Sequence, residues 1–211
     1  MPLRVCERGG FVSITREQVT AGILAGGEGR RLGGSDKGWY TLTGRSLVEW
    51  TLERVGPQCG QVMISANRNM TRYQGLGWPV VPDEDAERCG PLAGIAALLA
   101  ACRTPYMLFV PVDTPALPRD LLFRLAPALR ADVDMAVARS PSGMHPLHAL
   151  VRSAQYDAIR AALSGGVRRV TDWQSAARRR VVDWPDDVPF TNVNTPAQAD
   201  ALAGMCDLTD H

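Results

Sequence analysis

Residues Leu24–Lys37 read LAGGEGRRLGGSDK and follow directly on an apolar run, Thr20–Ala25. A strand that passes straight into glycines places backbone N–H groups at the C-terminal edge of a sheet, where they can face an anion. Gly26, Gly27, Gly29, Gly33 and Gly34 carry no Cβ, so the backbone there can turn freely and come close to a ligand. Arg30, Arg31 and Lys37 add positive charge to the same stretch. A triphosphate concentrates several negative charges in a small volume. One charge pair at about 4 Å gains roughly 4 kcal/mol at an effective dielectric near 20, so donors plus two or three cations suit that ligand. The loop is no Walker A, because no Gly-Lys-Ser/Thr occurs. It is also a poor dinucleotide fingerprint: Gly27-Glu28-Gly29 is followed three residues on by Leu32, where Gly or Ala is needed. A mere mobile turn is the bland alternative.

The rest of the chain alternates short apolar runs with helical patterns, which predicts an α/β fold with a mostly parallel sheet. Strands are expected at Thr20–Ala25, Gln61–Ala66, Pro79–Val81, Tyr106–Val112, Asp134–Ala138, Leu147–Val151 and Arg180–Asp183. YMLFVPV, at Tyr106–Val112, is the most apolar and reads as a central strand covered on both faces. Helices are expected at Ser46–Val55, Leu92–Cys102, Leu121–Leu129, Ala154–Leu163, Val167–Ala176 and Ala197–Met205, with Pro91 and Pro196 as helix-starting prolines. Asn67–Tyr73 and Arg139–Pro146 read as loops.

At 211 residues and 45% hydrophobic content, the chain suits one domain with its own core. Residues 1–19 precede the first good strand and read as a flexible extension, leaving 20–211 as a single domain. A net charge of +1 supplies no broad field for nucleic acid or an anionic membrane. The five cysteines are scattered, odd in number and form no CxxC, which speaks against a zinc site or a disulfide framework. No apolar run has the length of a membrane span, and the N-terminus lacks a continuous apolar segment of the secretory type. A cytoplasmic protein is the expectation.

Three further sites carry chemistry. Asp113 ends the most apolar strand, in FVPVDTP; there it can hold a divalent cation or cap a helix. Asp83 ends the short third strand and, from the residues alone, reads first as a turn residue. Asn192-Val193-Asn194-Thr195-Pro196 precedes the final helix, where Asn194 or Thr195 can serve as its cap. His148 and His211 read as a core histidine and a tail residue.

Together these blocks resemble the molybdenum cofactor guanylyltransferases, which join GMP to molybdopterin. LAGGEGRRLGGSDKG matches the family pattern Leu-Ala-Gly-Gly-x-x-x-Arg-Met-Gly-Gly-x-Asp-Lys-Gly, with Leu32 for Met. The Gly-Pro-Leu-Ala-Gly (Gly90–Gly94), Pro-x-Asp-Thr-Pro (Pro111–Pro115), His-Pro (His145-Pro146) and Asn-Val-Asn-Thr-Pro blocks follow in order, over roughly Thr20–Met205. Gly166-Val167-Arg168-Arg169 resembles the family's Gly-Glu-Arg-Arg. The resemblance implies a three-layer α/β/α, Rossmann-like nucleotidyltransferase fold. It assigns nucleotide contacts to Leu24, Ala25, Gly26, Gly27 and Asp83, phosphate neutralisation to Lys37 with Arg31 as helper, and Mg²⁺ to Asp113. Asn192 and Asn194 fall at the metal or the pterin, and Arg168 and Arg169 suit the molybdopterin phosphate. One departure is Ser65-Ala66-Asn67-Arg68, where the family has Asn-Ala-Asn-Arg. Ser65 replaces a nucleotide-contacting Asn, and Asn67 is a candidate to compensate.

The implied partners are GTP and molybdopterin, along with proteins that deliver molybdopterin or mature molybdoenzymes. A sister enzyme using CTP, or a sugar- or alcohol-phosphate acceptor, is the nearest alternative. CTP-using relatives tend to read Leu-Ala-Ala-Gly, whereas Gly26 follows Leu24-Ala25 here. An NAD(P)-binding oxidoreductase would need an acidic residue where Ser65-Ala66-Asn67 ends the second strand. A non-catalytic nucleotide sensor is opposed by the retained Lys37, Asp113 and asparagine pair.

Overall fold

The structure is a computed structural model and describes residues 3–7, 10–26, 36–83 and 90–205. In chain order its strands are β1 (Leu3–Glu7), β2 (Gly10–Ile14), β3 (Val19–Leu24), β4 (Thr41–Leu42), β5 (Arg45–Ser46), β6 (Gln61–Ser65), β7 (Val80–Val81), β8 (Tyr106–Pro111), β9 (Met135–Ser140), β10 (Gly143–Arg152) and β11 (Arg179–Asp183). Its helices are α1 (Leu47–Val55), α2 (Met70–Gln74), α3 (Pro91–Ala101), α4 (Leu121–Leu125), α5 (Tyr156–Ser164), α6 (Val170–Ser175) and α7 (Pro196–Met205). Strands β1 and β2, ahead of the first core strand, pair as an antiparallel hairpin.

Seven strands form the central sheet in the order β11-β9-β10-β8-β3-β6-β7. Pairing is parallel except where β10 runs antiparallel to both β8 and β9. The apolar run at 106–111 does form the middle strand, and all six of its residues are buried. Its side chains alternate between two cores, as the period of a strand requires. Tyr106, Leu108 and Val110 face α1, α4 and α7. Met107 and Phe109 face α3, α5 and α6. Helices on both faces make three layers, as expected.

Local chemistry sets the element ends. Ser46 and Glu49 form a capping box at the start of α1, the pattern that satisfies free helical N–H groups. Pro57 and Pro127 fall in 3₁₀ turns that end α1 and α4; α4 is therefore shorter than the expected Leu121–Leu129.

Two expected loops are structured. Asn67–Tyr73 contains the start of α2, whose single buried residue is Tyr73. Arg139–Pro146 is mostly hairpin: Gly143 pairs with Ser140 and His145 with Ala138 before an irregularity shifts the register at Ala149. Polar residues at 139–146 hide the strand from a period-2 reading, because they gain their partner only across the hairpin. Helix α6 begins at Val170, three residues later than the pattern suggests.

Candidate active site

Four parallel strands end together. Leu24 of β3 stands beside Ser65 of β6 and Pro111 of β8, and Ser65 stands beside Val81 of β7. The residues that follow are therefore delivered to one edge: Ala25-Gly26, Ala66-Asn67, Pro82-Asp83 and Val112-Asp113. The chain progresses outward from β3 to β6 and β7, then returns to the other side of β3 as β8. The crevice between β3 and β8 is thus the topological switch point, where open α/β sheets bind ligands.

Lys37 and Asp113 meet at that crevice. Lys37 Nζ donates to Asp113 Oδ2 at 2.5 Å and also to Asn194 Oδ1. Both side chains are largely enclosed, with 13% and 17% exposure. Asp113 Oδ1 is buried and has no hydrogen-bond partner among the described residues. An acceptor left bare in this way is costly, so the carboxylate has one oxygen held by the lysine and the other in reserve.

The backbone around Asp113 is pinned from three directions. Val193 N–H donates to Asp113 O at 2.8 Å. Thr51 Oγ1 reaches Val112 O at 3.4 Å. Thr114 Oγ1 bonds to Pro111 O at 3.3 Å and to His148 Nε2 at 3.0 Å. No helix starts at Asp113, since α4 begins only at Leu121. The helix-cap reading of Asp113 is therefore replaced by a rigid turn. The asparagine block divides its labour between neighbours: Thr195 Oγ1 accepts from Gln198 N–H at the start of α7, while Asn194 takes the lysine. Asn192 is exposed beside buried Val193.

A second group forms along the same edge. A Cβ built on Gly94 of α3 would lie 2.8 Å from Ser65 Oγ and 3.3 Å from both Asp83 Oδ2 and Leu24 Cδ2. Leu24, Ser65 and Asp83 therefore converge around one glycine, which keeps the space between them open. Asn67 is committed to Asp83. Its Nδ2 donates to Asp83 Oδ1 at 2.9 Å, and its Oδ1 accepts from Asp83 N–H at 2.8 Å. It braces the aspartate.

Ala25 is buried and Gly26 exposed; Gly27 and Arg31 lie outside the described residues. Arg168 stands apart from the lysine. It lines a groove of about 760 Å³ that runs between α3 and α5 from Asp83, and its guanidinium donates to Leu163 O and Val167 O. Arg169 is exposed at the start of α6.

His148 is buried, as expected of a core histidine. Burial, and secondarily His145, lowers its imidazole to about 3. An unfolded histidine titrates near 6.5, so on acidification the unfolded state takes up a proton that the folded state refuses. Its contribution is fully present above about pH 6.5 and is lost as pH falls towards 3, by up to about 1.4 kcal/mol per unit. Urea unfolding followed from about pH 7 to 4.5 should show this slope, and His148→Gln should flatten it. An unchanged slope in the variant would contradict the assignment. Nearby, His145 stacks on Phe190 with ring centroids 4.2 Å apart. Its Nε2 lies 2.6 Å from Ser140 Oγ, which donates to Asp187. With the Ser140 hydroxyl proton directed at the Asp187 carboxylate, His145 must carry its own proton on Nε2 to bond to Ser140 Oγ.

A mostly parallel three-layer sheet with a cation–carboxylate pair at its switch point defines a Rossmann-like nucleotidyltransferase scaffold. The comparisons narrow this. The model of the MobA-like NTP transferase domain matches residues 21–180. A molybdenum cofactor guanylyltransferase of Shewanella sp. (strain MR-4) is 41% identical over 188 residues, covering 88% of this chain and 95% of that protein. One of Cupriavidus taiwanensis is 41% identical and covers 86% and 94%. The solved molybdopterin-guanine dinucleotide biosynthesis protein A of Archaeoglobus fulgidus superposes with a TM-score of 0.71 at 23% identity, over 89% of this chain and 98% of that one. This chain belongs to the MobA-like NTP transferase family.

Proposed function

We propose that this chain transfers GMP from GTP to the phosphate of molybdopterin, forming the guanine dinucleotide cofactor and releasing pyrophosphate, with residues 20–211 acting as one nucleotidyltransferase domain. The observation that carries the reading is Lys37 Nζ held between Asp113 and Asn194 at the switch point. It joins Lys37, which follows the glycine stretch, to two segments distant in sequence. No helix among the described residues is long and apolar enough to cross a membrane, and a cytoplasmic enzyme fits substrates of this kind.

The chemistry needs no side-chain nucleophile, because the molybdopterin phosphate is already an anion at neutral pH. It attacks the α-phosphorus of GTP, and the bond to pyrophosphate breaks. The work of the chain is positioning and charge stabilisation. Lys37 faces the phosphates; Gly26 is assigned to the same group, as are Gly27 and Arg31, which lie outside the described residues. Leu24, Ala25, Ser65 and Asp83 hold the nucleoside, and Gly94 leaves room for it. Asn192, Asn194, Arg168 and Arg169 serve the acceptor side.

Enzymes of this family use a divalent metal, and the residues present fit one. The bare, buried Asp113 Oδ1 is the ligand oxygen expected of Mg²⁺, which takes one or two carboxylates and completes its shell with waters and phosphates. When bound, the ion neutralises charge on the triphosphate. Purified protein incubated with GTP, Mg²⁺ and molybdopterin should yield a guanine dinucleotide pterin by mass spectrometry. In competition GTP should be consumed ahead of CTP and ATP. A cytosine product would move the chain to the CTP-using sister enzymes, and no dinucleotide product would end the proposal.

A further inference from the structure

Asp36 and α2 have no part in the roles above, yet both converge on the turn that carries Lys37. Asp36 caps the 3₁₀ turn Lys37–Trp39. Its Oδ1 accepts from Gly38 N–H at 3.1 Å and from the Tyr73 hydroxyl at 2.7 Å. Its Oδ2 accepts from Asn69 Nδ2 at 3.1 Å. Three donors on one carboxylate suit a structural anchor better than a cation ligand. Tyr73 is fully buried, and a Cβ at Gly38 would collide with its hydroxyl. Only glycine lets the backbone next to Lys37 approach that closely. Asn69 sits at the start of α2 with a φ of 50°, a left-handed conformation that asparagine tolerates better than most residues. Trp39 packs on Tyr73 with centroids 5.0 Å apart, and the Arg72 guanidinium covers Trp39 at 3.8 Å. The turn is gripped on its side chains and on its backbone by the same short helix.

Lys37 is the only lysine in a chain with 23 lysine and arginine residues. An ammonium on a flexible stem needs its backbone placed before it can bridge two acceptors reproducibly. We infer that Asp36 and Tyr73 are positioning residues for Lys37: the Tyr73 hydroxyl and the Asn69 carboxamide hold the Asp36 carboxylate, which anchors Gly38 N–H and so sets where the Lys37 ammonium lies between Asp113 and Asn194. The catalytic consequence rests on the function proposed above; the placement of the lysine does not.

A single lysine makes the test direct. An amine-reactive reagent labels only Lys37 and the chain's α-amino group, which peptide mass spectrometry separates. Tyr73→Phe and Asp36→Ala should label Lys37 several-fold faster than wild type. Their kcat for pyrophosphate release should fall about tenfold, with a smaller change in KM for GTP. Asp36→Asn should restore both readouts, because its carboxamide oxygen can accept the same bonds from Gly38 and Tyr73. Wild-type labelling and kcat in Tyr73→Phe would overturn the inference. So would an Asp36→Asn variant as impaired as Asp36→Ala, which would assign the residue a charge role. If wild-type protein releases no pyrophosphate from GTP, the functional reading fails and labelling alone decides the placement.

Discussion

Lys37→Arg is expected to fold and to lose about a hundredfold or more in turnover, equivalent to about 2.7 kcal/mol of transition-state stabilisation. The substitution keeps the charge, so a purely electrostatic role would tolerate it. The geometry argues otherwise. One ammonium serves Asp113 Oδ2 and Asn194 Oδ1 at once, in a pocket that leaves the lysine side chain only 13% exposed. A guanidinium is planar, larger and presents its donors as a fixed fork. It cannot occupy the point between two acceptors on different segments without moving one of them. Steady-state pyrophosphate release, with thermal melting as the folding control, reads the result. Turnover near wild type would show that the position needs only a positive charge.

Asp113→Asn should be as severe. Asparagine has nearly the same shape and can still accept from Lys37, and the turn beneath it stays pinned by Val193, Thr51 and His148 through Thr114. What is lost is the anionic oxygen that is buried without a partner among the described residues. Turnover should fall about a hundredfold or more at ordinary Mg²⁺, and raising Mg²⁺ should recover little of it, since a neutral amide is a weak ligand for a hard cation. A Mg²⁺ titration of pyrophosphate release for both proteins makes the comparison. A variant with an unchanged Mg²⁺ response would remove Asp113 from the metal site.

The contrast between these two residues and the rest of the site shows what a linear reading can reach. Lys37 and Asp113 were legible because each ends a short block whose local chemistry is informative: glycines after a strand, and a carboxylate after an apolar run. Gly94 was less so. It looks like one more small residue of an alanine-rich helix until Leu24, Ser65 and Asp83 are seen to pack around it. Tyr73 was missed for a related reason. The five residues Met70–Gln74 are too few to show a helical apolar stripe, and α2 packs one buried tyrosine against the turn at 36–39. The only signal available was that Lys37 stands alone as a lysine and is preceded by an aspartate. Arg168 shows a different limit: a basic pair suggests a phosphate partner, and only the folded chain shows that its guanidinium also donates to Leu163 O and Val167 O at and just after the end of α5.

Sequence by itself determined the α/β class, the middle strand, most helix ends and the two charged residues at the edge of the sheet. Each follows from periodicity, capping or turn chemistry within a few consecutive residues. Tertiary structure alone decided that Lys37 meets Asp113 and Asn194, 76 and 157 residues away. It alone decided that Asp113 belongs to a turn and caps no helix, that 139–146 pairs as a hairpin, and that Asn67 braces Asp83. Those outcomes depend on which strand lies beside which. That order is set by burying two apolar faces at once, a cooperative result of the whole chain that no short window contains.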